Sequence, residues 1–172
     1  MPFAAVAAGV ALNCWALAER EYKVPAYLLY AMASVESSYN PGAIAHARNG
    51  TYSVGLMQVN SSWFPALSRV GISEQDLYQP CTNVQVGAWI LSQGVEQFGY
   101  TWKAIGSYYA GPHGRLQDYR NYSNLVLQRW RLALAGQLQI DLPATKRIKR
   151  AQGREVQLIG AVGGVHLDAA GN

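Results

Sequence analysis

ASVESSYNPGA, residues 33–43, carries a single carboxylate, Glu36. That acid closes a run of thirteen residues, Val24 to Glu36, in which it is the only charge, with Lys23 just ahead of it. Pro25 suits the first turn of a helix, and PAYLLYAMASVES continues one. Leu28, Met32 and Val35 recur at helical spacing, and so do Leu29, Met32 or Ala33, and Glu36. Glu36 is therefore expected on an apolar face, at the helix end. Desolvation and the negative end of the helix dipole would both disfavour its ionised form. A carboxylic acid held partly protonated near neutral pH is what a general acid requires. A frayed helix end with Glu36 in water satisfies the same stretch, so both readings stand on these residues alone.

Outward from this stretch, "NCWALAEREY" (13–22) reads as a short preceding helix with Cys14, Leu17 and Ala18 on one side. The segment 40–52 is rich in turn formers, and its Asn49-Gly50 pair suits a tight hairpin. "SVGLMQVNSSWF" (53–64) fits a strand or an irregular segment. Helices are expected near 63–70, 73–77, 82–98 and 101–109, followed by a sharp break at "SYYAGPHG". A final amphipathic helix spans 115–136, with Tyr119, Tyr122, Val126, Trp130 and Ala133 along one stripe.

A chain of 172 residues, 50% hydrophobic and 14% charged, fits one domain with a sizeable core. No apolar run reaches the roughly 18–20 residues that a membrane-spanning helix needs. Residues 13–112 hold five Lys/Arg against six Asp/Glu, and residues 113–172 hold nine against four. The excess behind the net charge of +4 thus lies in the C-terminal part. Residues 137–172 lose periodicity and include Lys146, Arg147, Lys149 and Arg150; they are expected to form a disordered basic tail, either solvated or docking on an anionic surface. Residues 1–12 are apolar like the core of an export signal but lack its basic start. The two cysteines, Cys14 and Cys81, allow one intramolecular bridge or two buried thiols, and no spacing suggests zinc.

Three ordered segments carry a resemblance: "ESSYNP" (36–41), "GLMQVN" (55–60) and "SYYAGP" (107–112). Together they resemble the lytic transglycosylase (SLT) family, bacterial enzymes that cleave peptidoglycan. "CW" at 14–15 and "PCTNVQVGAWIL" at 80–91 are similar to the small members that accompany type III and type IV secretion, conjugation and pilus systems. The resemblance covers roughly residues 13–135 and implies a domain over 13–136 with a mainly α, lysozyme-like fold and a small β-hairpin region near 48–60 lining a substrate cleft.

By that resemblance Glu36 matches the catalytic acid, and Ser37 matches the serine that supports it. Gln58 matches the glutamine that binds the sugars, and Tyr108 the tyrosine that orients the acid. Met57, Asn60 and Tyr109 would complete the substrate contacts. Two departures stand out: Tyr109 occupies the family's Asn position and Ser107 its Ala position. Ala45 also replaces a common serine, with His46 beside it. The resemblance implies a Cys14–Cys81 disulfide and hence a periplasmic location, with no metal or organic cofactor and no nucleic-acid partner. Residues 37–73 hold no Asp or Glu, and Ser53 stands where some relatives have Asp, so the second acid of a two-carboxylate glycosidase is missing. The expected product is therefore a 1,6-anhydromuramyl end. A hydrolytic muramidase and a non-catalytic peptidoglycan-binding assembly factor are the alternatives.

Overall fold

α4, Pro80–Phe98, is the spine of the molecule, and its sequence explains why. Pro80 opens it without losing a hydrogen bond, and buried residues then run from Asn83 to Gly94 on all its faces. Val84, Ala88 and Leu91 point into one apolar cluster with the other helices, while Val86, Trp89 and Ile90 point into a second under the sheet. A helix apolar all round has to be enclosed.

The computed structural model describes residues 14–136. The remaining elements are α1 (14–22), α2 (Ala26–Ser37), α3 (Phe64–Arg69), α5 (Trp102–Ala110) and α6 (Leu116–Leu134), with short 3-10 turns at Ser61–Trp63 and Gln75–Tyr78. The expected helix near 73–77 is thus one of these tighter turns. The fold is mainly helical with a small three-stranded antiparallel sheet, as anticipated. The readings of 1–13 and 137–172 fall outside the described residues.

The first cluster joins α1, α2, α4, α5 and α6. Leu29, Met32 and Ala33 of α2 are fully buried there beside Val126 of α6. Burying a side chain such as Leu29 contributes about 1.5–3 kcal/mol. Along α6, Tyr119, Tyr122, Val126 and Ala133 are buried, as their spacing predicts. α5 and α6 approach closely at Gly106, where any Cβ would lie 2.5 Å from Tyr119 Cα. Cys14 and Cys81 form a disulfide that ties α1 to the start of α4 across a sequence separation of 67.

The sheet extends further than the expected hairpin. β1 (Ile44–His46) pairs with β2 (Tyr52–Val54), and β2 with β3 (Val59–Asn60). Asn49-Gly50 does turn the chain, but not as a two-residue hairpin loop. Only Gly50 is left-handed (φ 84°), whereas Asn49 accepts hydrogen bonds from Thr51 N–H and Thr51 Oγ1 through its side chain. The loop closes with Ala47 N–H donating to Thr51 O at 2.8 Å. A tight type I′ turn would need both central residues left-handed. No helix among the described residues is long and apolar enough to cross a membrane.

Candidate active site

Glu36 sits in the last turn of α2, where the helical core meets the segment joining β2 to β3. The chain reverses at once. Ser38 and Tyr39 are both left-handed (φ 51° and 64°), and Tyr39 N–H reaches back to Ala33 O at 3.4 Å. The helix therefore ends before the Asn-Pro pair. Two successive non-glycine residues in this conformation cost on the order of 1–2 kcal/mol each. Such strain is held by its surroundings and clusters at functional sites.

Ser37 supplies part of that hold. Its Oγ donates to Leu56 O at 2.8 Å, which ties the end of α2 to the β2–β3 segment, and accepts from Asn40 N–H at 3.2 Å. Opposite, Tyr108 of α5 donates to Met57 O at 2.6 Å. Tyr122 of α6 donates to Glu36 Oε1. The hydroxyl that bonds the carboxyl thus belongs to Tyr122 and not to Tyr108, to which the motif resemblance gave that part. Tyr108 still lies close enough for the Glu36 charge to help burial raise its pKa well above the ordinary tyrosine value. Tyr122 is raised in the same direction by burial first, and then by the charge and hydrogen bond of Glu36.

Burial pushes the Glu36 carboxyl up from its ordinary value to about 7, and the Tyr122 hydrogen bond opposes that rise. Among the described residues no charged group shifts it further. At neutral pH such a group is divided between acid and carboxylate, so it can give up a proton and take one back.

Residues 55–58 form a turn in which the backbone is held from outside. Asn83, 1% exposed on α4, accepts from Met57 N–H at 2.7 Å and donates to Val54 O at 3.0 Å and Leu77 O at 2.8 Å. Gly55 is left-handed (φ 79°), and a Cβ there would fall 2.2 Å from Asn83 Nδ2. Only glycine fits. Gln58, also left-handed (φ 50°), donates through Nε2 to Gly55 O at 2.9 Å and Ala43 O at 3.1 Å. That fixes the amide and leaves Oε1 as its open acceptor.

Met57 departs from its expected role in substrate contact. Its side chain is fully buried in the helical core, so only its backbone takes part, held by Asn83 and Tyr108. Asn60 is also occupied: Nδ2 reaches Thr51 Oγ1 and Ser53 Oγ, both at 3.2 Å, and Oδ1 accepts from Ser62 N–H at 3.0 Å. It braces the sheet and caps the following turn. Tyr109 lies at the rim, 64% exposed, with its ring stacked on Tyr122. Ala45 and His46 are exposed on β1, and His46 packs 5.8 Å from the Tyr52 ring.

The sequence reading missed Asn83 and Tyr122. Tyr122 was read as one more member of an apolar stripe. Asn83 had a signal as a polar residue directly ahead of the largely apolar stretch 84–91, but its partners lie 26 to 29 residues earlier and 6 residues earlier.

A helical body with a small antiparallel sheet and a half-buried acid at their junction defines a class, and comparison with known proteins identifies it. Residues 13–128 match the Transglycosylase SLT domain. The chain belongs to that family. It is 43% identical to the invasion protein IagB of Salmonella typhimurium over 69% of this chain and 76% of that protein. It is 37% identical to the X polypeptide of Escherichia coli, covering 80% and 83% of the two chains. It is 32% identical to protein IpgF of Shigella flexneri, covering 69% and 79%. The lytic transglycosylase Slt of Pseudomonas aeruginosa, solved as an inactive mutant, shares the fold at a TM-score of 0.58 and 24% identity; the likeness covers 77% of this chain and 24% of that enzyme.

Proposed function

We propose that this protein is a lytic transglycosylase that cuts peptidoglycan glycan strands between N-acetylmuramic acid and N-acetylglucosamine and leaves 1,6-anhydromuramyl ends. The observation that carries this reading is a carboxyl, Glu36, set in the last turn of α2 and bonded by the Tyr122 hydroxyl, where burial raises its pKa to about 7. Glu36 protonates the departing glycosidic oxygen as the C1–O bond breaks. The N-acetyl group of the muramyl sugar stabilises the cation, since residues 37–73, from which a second acid would come, hold no Asp or Glu. Glu36, now ionised, takes the proton from the muramyl C6 hydroxyl, whose oxygen closes on C1. Tethering gives that hydroxyl an effective-molarity advantage over water. Gln58 Oε1 and Ser37 fit the roles of a sugar acceptor and a support for the acid.

Membership of the SLT family and the likeness to a Salmonella invasion protein support a role in opening the wall locally for a secretion, conjugation or pilus apparatus. The Cys14–Cys81 pair suits the oxidising periplasm. The deciding experiment is a digest of purified peptidoglycan in ¹⁸O-labelled water, read by mass spectrometry. Anhydromuramyl products without label support the reading, and reducing ends carrying solvent oxygen make the protein a hydrolytic muramidase. Glu36→Gln should lower lysis by at least about 100-fold, the lower bound for general acid–base catalysis, while glycan binding persists. Residual lysis within about tenfold of wild type removes Glu36 from the mechanism.

A further inference from the structure

Among the exposed large apolar residues of the described chain, Tyr109 is the one that stacks on a ring bonded to Glu36. It is 64% exposed at the last turn of α5, just before the Gly111-Pro112 break. The ring centroids of Tyr109 and Tyr122 lie 5.2 Å apart with their planes 9° from parallel. One face of Tyr109 is thus spent on Tyr122. Its other face has no partner among the ring contacts of the described residues. Tyr122 is 5% exposed and carries the hydrogen bond to the acid. The two rings form a short stack that runs from Glu36 out to solvent.

A single exposed tyrosine is ordinary on a protein surface; Tyr109 differs in that its open ring face continues a stack that begins at the acid. What would lie beside Glu36 is a pyranose chain, and a pyranose presents a face of C–H groups that suits the electron-rich face of a tyrosine ring. We infer that Tyr109 is a stacking platform for the sugar ring next to the bond that is cut, a specificity-determining contact that uses the ring face rather than a hydrogen bond. This deepens the transglycosylase reading and rests on it. Because the resembling motif has Asn here, the inference also states what this chain exchanges: an aromatic face takes the place of a polar side chain.

The test is made in the Glu36→Gln background, where sugar binds and is not consumed. Binding of a GlcNAc–MurNAc tetrasaccharide is measured by calorimetry for Tyr109, Tyr109→Ala, Tyr109→Asn and Tyr109→Phe. Removing the ring should weaken binding about 3- to 10-fold, the size of one aromatic contact, and Phe should restore it. Equal binding by Ala and Tyr overturns the platform. Equal loss in Ala and Phe also overturns it, by making the hydroxyl the contact. Tyr109→Trp supplies a second measurement: its fluorescence should shift when the tetrasaccharide saturates the site, and an unmoved spectrum at saturation is a negative result. With wild-type Glu36, Tyr109→Ala should raise KM more than it lowers kcat. If the wild-type protein releases no muropeptides from peptidoglycan, the proposed function fails. The binding comparison still reports on Tyr109 by itself.

Discussion

The two sides of the site are built by different physics. On the helical side, Glu36 and Tyr122 are placed by apolar packing: α2 and α6 bury Leu29, Met32, Ala33 and Val126, and the polar atoms ride on those helices. On the sheet side, the turn 55–58 is placed by side-chain amides. Asn83 holds three backbone groups from α4, Gln58 holds two, and Asn60 braces β2 and the turn that follows. Packing sets how dry the acid is, and amide hydrogen bonds set the shape of the wall beside it. Changes on the first side should therefore move the acidity of Glu36. Changes on the second should move stability and geometry while leaving the acid's intrinsic chemistry alone.

The largest expected effect tests the sheet side. Asn83→Leu conserves volume and adds apolar surface, yet it leaves Met57 N–H, Val54 O and Leu77 O without their partner. At about 1–3 kcal/mol per orphaned buried group, the loss should be roughly 5 kcal/mol. Urea unfolding measures it, and a variant as stable as wild type breaks the distinction between the two sides. Next comes the disulfide. Cys14→Ser with Cys81→Ser opens a loop of sequence separation 67, which should cost about 4 kcal/mol by the chain-entropy estimate. A melting temperature that dithiothreitol does not lower would remove that contribution.

The helical side is tested by pH. Glu36 is raised in the folded state, so the native protein keeps a proton that the unfolded chain gives up. Its contribution to stability therefore falls as pH rises from the ordinary carboxyl value towards about 7. Glu36→Gln does not titrate and keeps an acceptor for Tyr122. It should gain on wild type between pH 5 and pH 8, by up to about 3 kcal/mol. Parallel stability curves for the two proteins would show that burial does not act on this carboxyl. The smallest effect sharpens the same point. Tyr122→Phe removes the bond that favours the carboxylate, so the fall of activity on the alkaline side should move up by about one pH unit. A move to lower pH would mean that Tyr122 acts chiefly by excluding water.

The sequence by itself determined the parts that depend on local periodicity and on turn chemistry. The long helices after Val24, the stripe along α6 and the placing of Glu36 at a helix end all follow from spacing that a chain cannot hide. Only the tertiary structure decided which groups meet. Glu36 and Tyr122 are 86 residues apart, and Tyr108 and Met57 are 51 apart; nothing local pairs them. The motif resemblance gave Tyr108 the acid and the fold gives it a backbone carbonyl, because a tyrosine reaches only where its helix is docked. Met57 and Asn60 were read as substrate contacts from a segment that does line the junction. Burial of one and three hydrogen bonds on the other became visible only once α4 and the sheet closed around them. Periodicity reports which face of an element is dry, and long-range packing alone assigns the partners on that face.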